Sequence, residues 1–84
     1  MPLKLDWPKG VAIDLKGAGG FAVVRSTHEA AVYLTNCWPI VKGPAFNRAL
    51  DLVRKNFDEE IDDETVRLAF VAAAEEAEVS VQLH

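Results

Sequence analysis

Residues 11–24 read VAIDLKGAGGFAVV and predict a β-hairpin. Val11, Ile13 and Leu15 alternate with small or polar residues, which is the period of a strand with one buried face. The run from Phe21 to Arg25 is rich in β-branched and aromatic residues, which strands favour. The glycines between the two runs are typical of a turn. We therefore expect the chain to begin its fold with a hairpin.

A capping box follows the hairpin and predicts a helix. In Ser26-Thr27-His28-Glu29, the Ser26 hydroxyl can accept from the Glu29 amide, and the Glu29 carboxylate can accept from the Ser26 amide. Pro39 disfavours helical geometry in the residue before it, so the predicted span is Thr27 to Cys37. Residues at helical spacing form its apolar side: Ala30, Tyr33, Leu34, Cys37 and Trp38.

Two more amphipathic helices are predicted in the second half. Gly43-Pro44 opens the first of them, because proline in the first turn loses no hydrogen bond. The acidic run of residues 58–64 interrupts the helical pattern. It also supplies a capping aspartate and negative charge for the start of the next helix. The predicted inner stripes are Phe46, Ala49, Leu50, Val53 and Phe57 in one helix, and Val66, Ala69, Phe70, Ala73 and Ala77 in the other.

The chain is predicted to close with a short strand. Val79, Val81 and Leu83 alternate with polar residues, which is again the period of a strand. The expected fold class is α+β: a small antiparallel sheet, made of the N-terminal hairpin and the C-terminal strand, with three helices packed on one face. A chain of 84 residues leaves room for one domain, residues 1–84.

Composition and charge exclude several classes of function. Nine basic and thirteen acidic residues give a net charge of −4, with no basic stripe to neutralise phosphates, so no nucleic-acid role is expected. No apolar segment has the length of a signal peptide or a membrane span, so we expect neither export nor a membrane partner. Cys37 is the single cysteine, which favours a reducing compartment and a cytoplasmic location.

The sequence contains no recognisable catalytic, cofactor or metal site. Cys37 and His28 lie nine residues apart on one predicted helix, about 13 Å along its axis, so they cannot form a nucleophile and base pair. Cys37 is interpreted as a small buried side chain. One cysteine and two histidines are too few for a structural zinc site. The glycines at residues 17–20 lead into a strand, which argues against a phosphate-binding loop.

The largest apolar side chains are expected in the core rather than on a binding surface. An indole at the end of an element can bury its ring and keep its N–H near a polar atom, which suits Trp7 and Trp38. Ala72 and Ala74 make the third helix slender. A slender helix lets a neighbouring backbone approach closely or lets a second protomer dock, and the sequence leaves both readings open.

The chain resembles a known family of short stand-alone bacterial proteins, domain-of-unknown-function family 982. The likeness covers nearly the whole chain and rests on residues in order and spacing: Trp7, Glu29-Ala30-Ala31, Leu34, Trp38-Pro39, Gly43, Ala49, Arg67, Ala69-Phe70, Ala72-Ala73 and Glu76-Ala77. The chain departs from the family pattern at Leu52 and Val53, where cysteine is frequent, and at Val66, where alanine is commoner. It also has Glu78 where glycine is usual. The resemblance implies a shared fold and no assigned activity.

These observations favour a non-enzymatic interaction or regulatory module. Its expected partner is either a second copy of the chain, in a homodimer, or an unidentified protein. A thin core and open sheet edges both gain from a partner. The alternative is a protein that binds a small anionic ligand, with an enzyme as its less favoured extension. The candidate ligand or partner contacts are Arg25, His28, Tyr33 and Trp38.

Overall fold

The chain folds as the predicted α+β arrangement. The computed structural model describes residues 7, 9–15, 20–36, 38 and 43–83. The glycine turn at residues 16–19, Cys37, Pro39 and His84 lie outside the described residues. In chain order the elements are β1 (Val11–Asp14), β2 (Phe21–Val24), α1 (Thr27–Asn36), α2 (Pro44–Phe57), α3 (Asp63–Glu76) and β3 (Ser80–Leu83).

The three strands form one antiparallel sheet in the order β2-β1-β3. In the centre of the sheet, Ile13 pairs with Ala22 on one side and with Val81 on the other. Directly paired residues of an antiparallel sheet share a face, so these three side chains point to the helices. Ile13 is fully buried there, and Ala22 and Val81 pack against the core. The opposite face carries Phe21 and is not covered by any described helix.

Helix α3 lies at the centre of the fold and contacts the other helices and the sheet. Its Phe70 is fully buried between two indoles, with ring centroids 6.1 Å from Trp7 and 5.3 Å from Trp38. Tilted aromatic pairs at these separations stabilise a core beyond their buried area. The Trp7 indole Nε1 donates to Thr27 Oγ1 at 3.0 Å. The predicted core positions Trp7, Trp38, Phe46 and Phe70 are thus confirmed.

The buried stripe of α2 is rotated from the predicted one. Phe57 was predicted to be buried and is 45% exposed, whereas Asn56 is fully buried. The Asn56 Nδ2 donates to the Ile61 carbonyl at 3.0 Å and to Asp63 Oδ1 at 2.9 Å. These bonds fasten the loop between α2 and α3, and hydrogen bonding is what makes a buried amide tolerable. The prediction at Phe57 was wrong because helical periodicity reports apolarity and gives no information about buried polar side chains.

Helices α2 and α3 end in the same way. Each ends in a Schellman motif with a glutamate in the left-handed position: Glu59 at φ 62° and Glu78 at φ 60°. After α2, the Glu60 amide donates to the Lys55 carbonyl at 2.9 Å. After α3, the Val79 amide donates to the Ala74 carbonyl at 2.8 Å and leads the chain directly into β3.

Helices α2 and α3 run antiparallel. The end of α3 lies at the start of α2, where the Glu76 carboxylate accepts the amides of Ala45 at 3.0 Å and Phe46 at 3.1 Å. Among the described residues, no helix has both the length and the apolar character that crossing a membrane requires.

Candidate functional site

Two predicted contact residues, Arg25 and His28, lie exposed at the start of α1. Half of the predicted capping box is present, since the Glu29 amide donates to Ser26 Oγ at 3.1 Å. The other half differs: the Glu29 carboxylate accepts from the Arg25 amide at 2.7 Å, where the Ser26 amide was expected. The carboxylate therefore occupies the position that a bound anion would take, and this geometry does not favour an anion site.

The other two predicted contacts, Tyr33 and Trp38, do not form an aromatic wall beside Arg25. Tyr33 is half-buried and packs on the core, and Trp38 is 6% exposed with its ring against Phe70. Helix α1 has 10 residues, so its two ends are about 15 Å apart, and Trp38 lies beyond the far end. Trp38 is a core residue, and the structure does not gather the four side chains into one site.

The outer face of the sheet exposes apolar side chains among the described residues. It carries Phe21, which is 67% exposed, and Val23, which is 37% exposed. A shallow depression of about 330 Å³ beside Phe21 is lined by both apolar and polar residues: Ala12, Asp14, Phe21, Ser80, Val81 and Gln82. Polar and apolar side chains are mixed on this face, and nothing in its geometry selects a particular class of ligand.

The second surface is a groove between α2 and α3, which we call the α2–α3 groove. It has a volume of about 250 Å³ and is lined by Thr65, Leu68, Ala69 and Ala72 of α3 and by Arg48 of α2. The four α3 residues are spaced i, i+3, i+4 and i+7, which is the set that forms a hole for a side chain of a facing helix in knobs-into-holes packing. Leu68 is 53% exposed on the rim of the hole.

The sequence left two interpretations of the α3 alanines open, close packing and docking, and each applies to a different alanine. Ala74 is fully buried, so it serves close packing within the fold. Ala72 is exposed and lies in the α2–α3 groove. A small residue at this position keeps the hole open, because a longer side chain would fill it.

Charge distinguishes Arg48 from the other basic residues of α2 and α3. Arg54 and Lys55 both pair with Asp51, at 2.7 Å and 3.3 Å, and hold the pKa of that carboxyl below its ordinary value. Arg67 pairs with Glu64 at 3.2 Å. Arg48 has no ion pair within the described part of the chain, although its side chain lines the groove.

Comparison with known proteins identifies the family. A family model described as "Protein of unknown function (DUF982)" matches residues 9–81. The chain belongs to the DUF982 family. No curated protein matches the chain, and no solved structure matches it. The resemblance expected from the sequence is confirmed, and the function of this DUF982 protein has to be argued from its own surface.

Several residues that carry the family likeness have structural roles in this DUF982 protein. Gly43 lies against the Glu76 carboxylate, and Phe70 lies between the two indoles. Arg67 is buried, and its Nε donates to the Lys9 carbonyl at 3.1 Å, which ties α3 to the chain just before β1. Sequence reasoning missed this role because an arginine gives no sign of burial when it is read without its neighbours. The described residues contain no group of three histidine, cysteine or acidic side chains that could hold a metal ion.

Proposed function

We propose that this DUF982 protein is a non-enzymatic interaction module that binds a helix in the α2–α3 groove. One observation carries the proposal: a helix-packing hole of four α3 residues remains open at the surface, and beside it lies Arg48, which has no ion pair among the described residues. In knobs-into-holes packing, such a hole accepts one apolar side chain of a facing helix. The described lining of the groove contains no histidine, cysteine or carboxylate, and this supports binding over catalysis.

The helical side of the molecule is larger than the sheet side. Helices α2 and α3 each have 14 residues, about 21 Å, and two adjacent helices are about 20 Å wide. The sheet has three strands of 4 residues, which gives a face of about 14 by 13 Å. The helical layer therefore offers about twice the area of the sheet face for contact with a partner.

The chemistry of the groove defines the partner. Ala69 and Ala72 are the small residues of the lining and leave room for an aliphatic side chain such as leucine. Arg48 favours a carboxylate next to that side chain, because a guanidinium binds a carboxylate through paired hydrogen bonds. The partner is therefore an acidic amphipathic helix. The single cysteine supports the cytoplasm as the place where they meet.

Fluorescence anisotropy with a labelled peptide tests this function. The probe is a helix-forming peptide in which leucine repeats with the heptad and glutamate lies beside each leucine. The control is the same peptide with lysine in place of glutamate. We expect the acidic peptide to bind more tightly, and Arg48→Glu to weaken its binding about tenfold or more, which corresponds to about 1.4 kcal/mol. Arg54→Glu is the matched control, since Arg54 lies on the same helix but outside the groove.

Filling the hole provides a second arm of the test. Ala72→Gln is tolerated by the fold because Ala72 is exposed, and its longer side chain should block the leucine of the peptide. If the acidic peptide does not bind, or if binding is unchanged by both Arg48→Glu and Ala72→Gln, the groove is not the binding site and the proposal is wrong.

A further inference from the structure

We infer that the side chain that enters the α2–α3 groove belongs to a second copy of this chain, so that the protein forms a symmetric homodimer. The inference rests on the proposed function of the groove and names its occupant. The two copies are related by a two-fold axis that runs along the groove, and this axis places α2 of each copy against α3 of the other. Because one surface serves both copies, it must be complementary to itself.

The charges of the two helices meet this requirement. Helix α2 carries three basic side chains and one acidic side chain, a formal charge of +2. Helix α3 carries four acidic side chains and one basic side chain, a formal charge of −3. The two-fold axis turns the basic helix of each copy onto the acidic helix of the other. Opposite charges then face each other twice, which favours this orientation over one that superposes like charges.

Each copy of the chain contributes both an apolar side chain and charged side chains to the contact. Leu68 is 53% exposed and projects next to Ala72, so it is available as the side chain that enters the groove of the other copy. Glu75 follows Leu68 by seven residues and therefore lies on the same side of α3. Glu75 is exposed and has no ion pair within the described residues, as is also true of Arg48. The dimer brings these two unpaired side chains of opposite charge to one interface.

The size of the surface predicts a weak dimer. The face formed by α2 and α3 measures about 21 by 20 Å, an area of about 420 Å². Each partner in a standard stable interface buries roughly 800 Å², so this face is small. Contacts of this size are typical of transient association. The dimer should therefore dissociate on dilution, and it should weaken with salt because part of its attraction is electrostatic.

Sedimentation equilibrium of the full chain over a wide range of concentrations tests the dimer. We expect a monomer–dimer equilibrium, and we expect Leu68→Glu to raise the dissociation constant at least tenfold. The position is exposed, and circular dichroism will verify that the variant is folded. Phe21→Ser is the control, because Phe21 is the most exposed large apolar residue in the described part of the chain and lies on the outer face of the sheet. It should leave the equilibrium unchanged.

Charge reversal tests the pairing. Arg48→Glu and Glu75→Arg should each weaken the dimer, and the double variant should recover most of the loss. A wild-type chain that is monomeric at every concentration overturns the inference, and so does a dimer abolished by Phe21→Ser but not by Leu68→Glu. A monomer that still binds the acidic peptide through Arg48 would overturn the dimer alone, whereas a monomer that binds no peptide would overturn the proposed function as well.

Discussion

Glu76 lies so close to Gly43 that a side chain at position 43 would have to displace the Glu76 carboxylate. A Cβ on Gly43 would come within 2.5 Å of the Glu76 Oε1 atom, and Gly43 has a φ of +120°. The same carboxylate accepts the first amides of α2, so a residue at the end of one helix caps the start of another 30 positions away. A negative charge is stabilising at a helix N-terminus, which is where Glu76 lies relative to α2.

Glu76→Ala should lower the free energy of unfolding by about 1 kcal/mol, the usual cost of removing a helix cap. Urea denaturation followed by tryptophan fluorescence measures the change, at protein concentrations where the chain is monomeric. Glu75→Ala is the matched control, because Glu75 lies in the same turn of α3 and caps no helix within the described residues. Equal losses in the two variants would show that the Glu76 bonds contribute nothing to stability.

Gly43→Ala should cost more than Gly20→Ala. Both glycines have positive φ, but Gly20 has open space around the position of a Cβ, whereas Gly43 meets the Glu76 carboxylate. The backbone at Gly43 is almost exclusive to glycine and costs any other residue roughly 1–3 kcal/mol, to which displacement of the cap is added. Combining Gly43→Ala with Glu76→Ala should cost less than the sum of the two, because the contact is then already lost. Strict additivity would exclude the contact as a source of destabilisation.

The sequence predicted the elements that local patterns specify. The hairpin, the Ser26 cap of α1, the proline start of α2 and the closing strand all follow from residues near one another in the chain. The relationships that tie elements together were not predictable, because their partners are distant in sequence. Nothing near Glu76 in the sequence indicates that it caps α2, and nothing near Asn56 indicates that the following loop folds over it.

The candidate site was only partly predictable for the same reason. Small residues in α3 were compatible with either close packing or docking, but the α2–α3 groove also depends on the position of Arg48 on a neighbouring helix. The predicted contacts Arg25, His28, Tyr33 and Trp38 lie in α1 or next to its ends, so they do not include this pair of helices.

Thr27→Val should destabilise the fold by about 1–3 kcal/mol, because it leaves the Trp7 indole N–H buried without an acceptor. Valine matches threonine in shape, so packing is preserved. Thr27→Ser keeps the hydroxyl and should cost less, even though it removes a methyl group. Chemical denaturation gives the free energies, and hydrogen exchange of the Trp7 indole proton reports on the bond directly. Unchanged exchange in Thr27→Val would contradict the assigned bond.

Glu78→Gly and Glu59→Gly should each stabilise the protein by about 0.5–1 kcal/mol. Both glutamates hold the left-handed conformation that ends a helix, which glycine adopts without steric cost. The gain is reduced because glycine also makes the unfolded chain more flexible. Glu60→Gly is the control: it lies next to Glu59, has no positive φ, and should be neutral or destabilising. Thermal unfolding compares the three variants, and a loss of stability in Glu78→Gly would contradict the Schellman assignment.

Acid should unfold the protein partly through Asp62, the residue that caps α3. Hydrogen bonds from the Thr65 hydroxyl and the Thr65 amide lower the pKa of Asp62 below its ordinary value of 3.8. Since the folded state has the lower pKa, the ionised carboxylate favours folding. Its contribution is fully present above pH 3.8 and is lost as the pH falls through the folded pKa.

Asp62→Asn keeps an oxygen that can accept the Thr65 bonds but cannot titrate, so its stability should fall less steeply than that of the wild type below about pH 4. Thr65→Ala removes the hydroxyl and leaves the amide, and should give an intermediate slope. Urea denaturation at a series of pH values from neutral to strongly acidic measures all three curves. Identical acid slopes for the wild type and Asp62→Asn would mean that Asp62 does not contribute to acid unfolding.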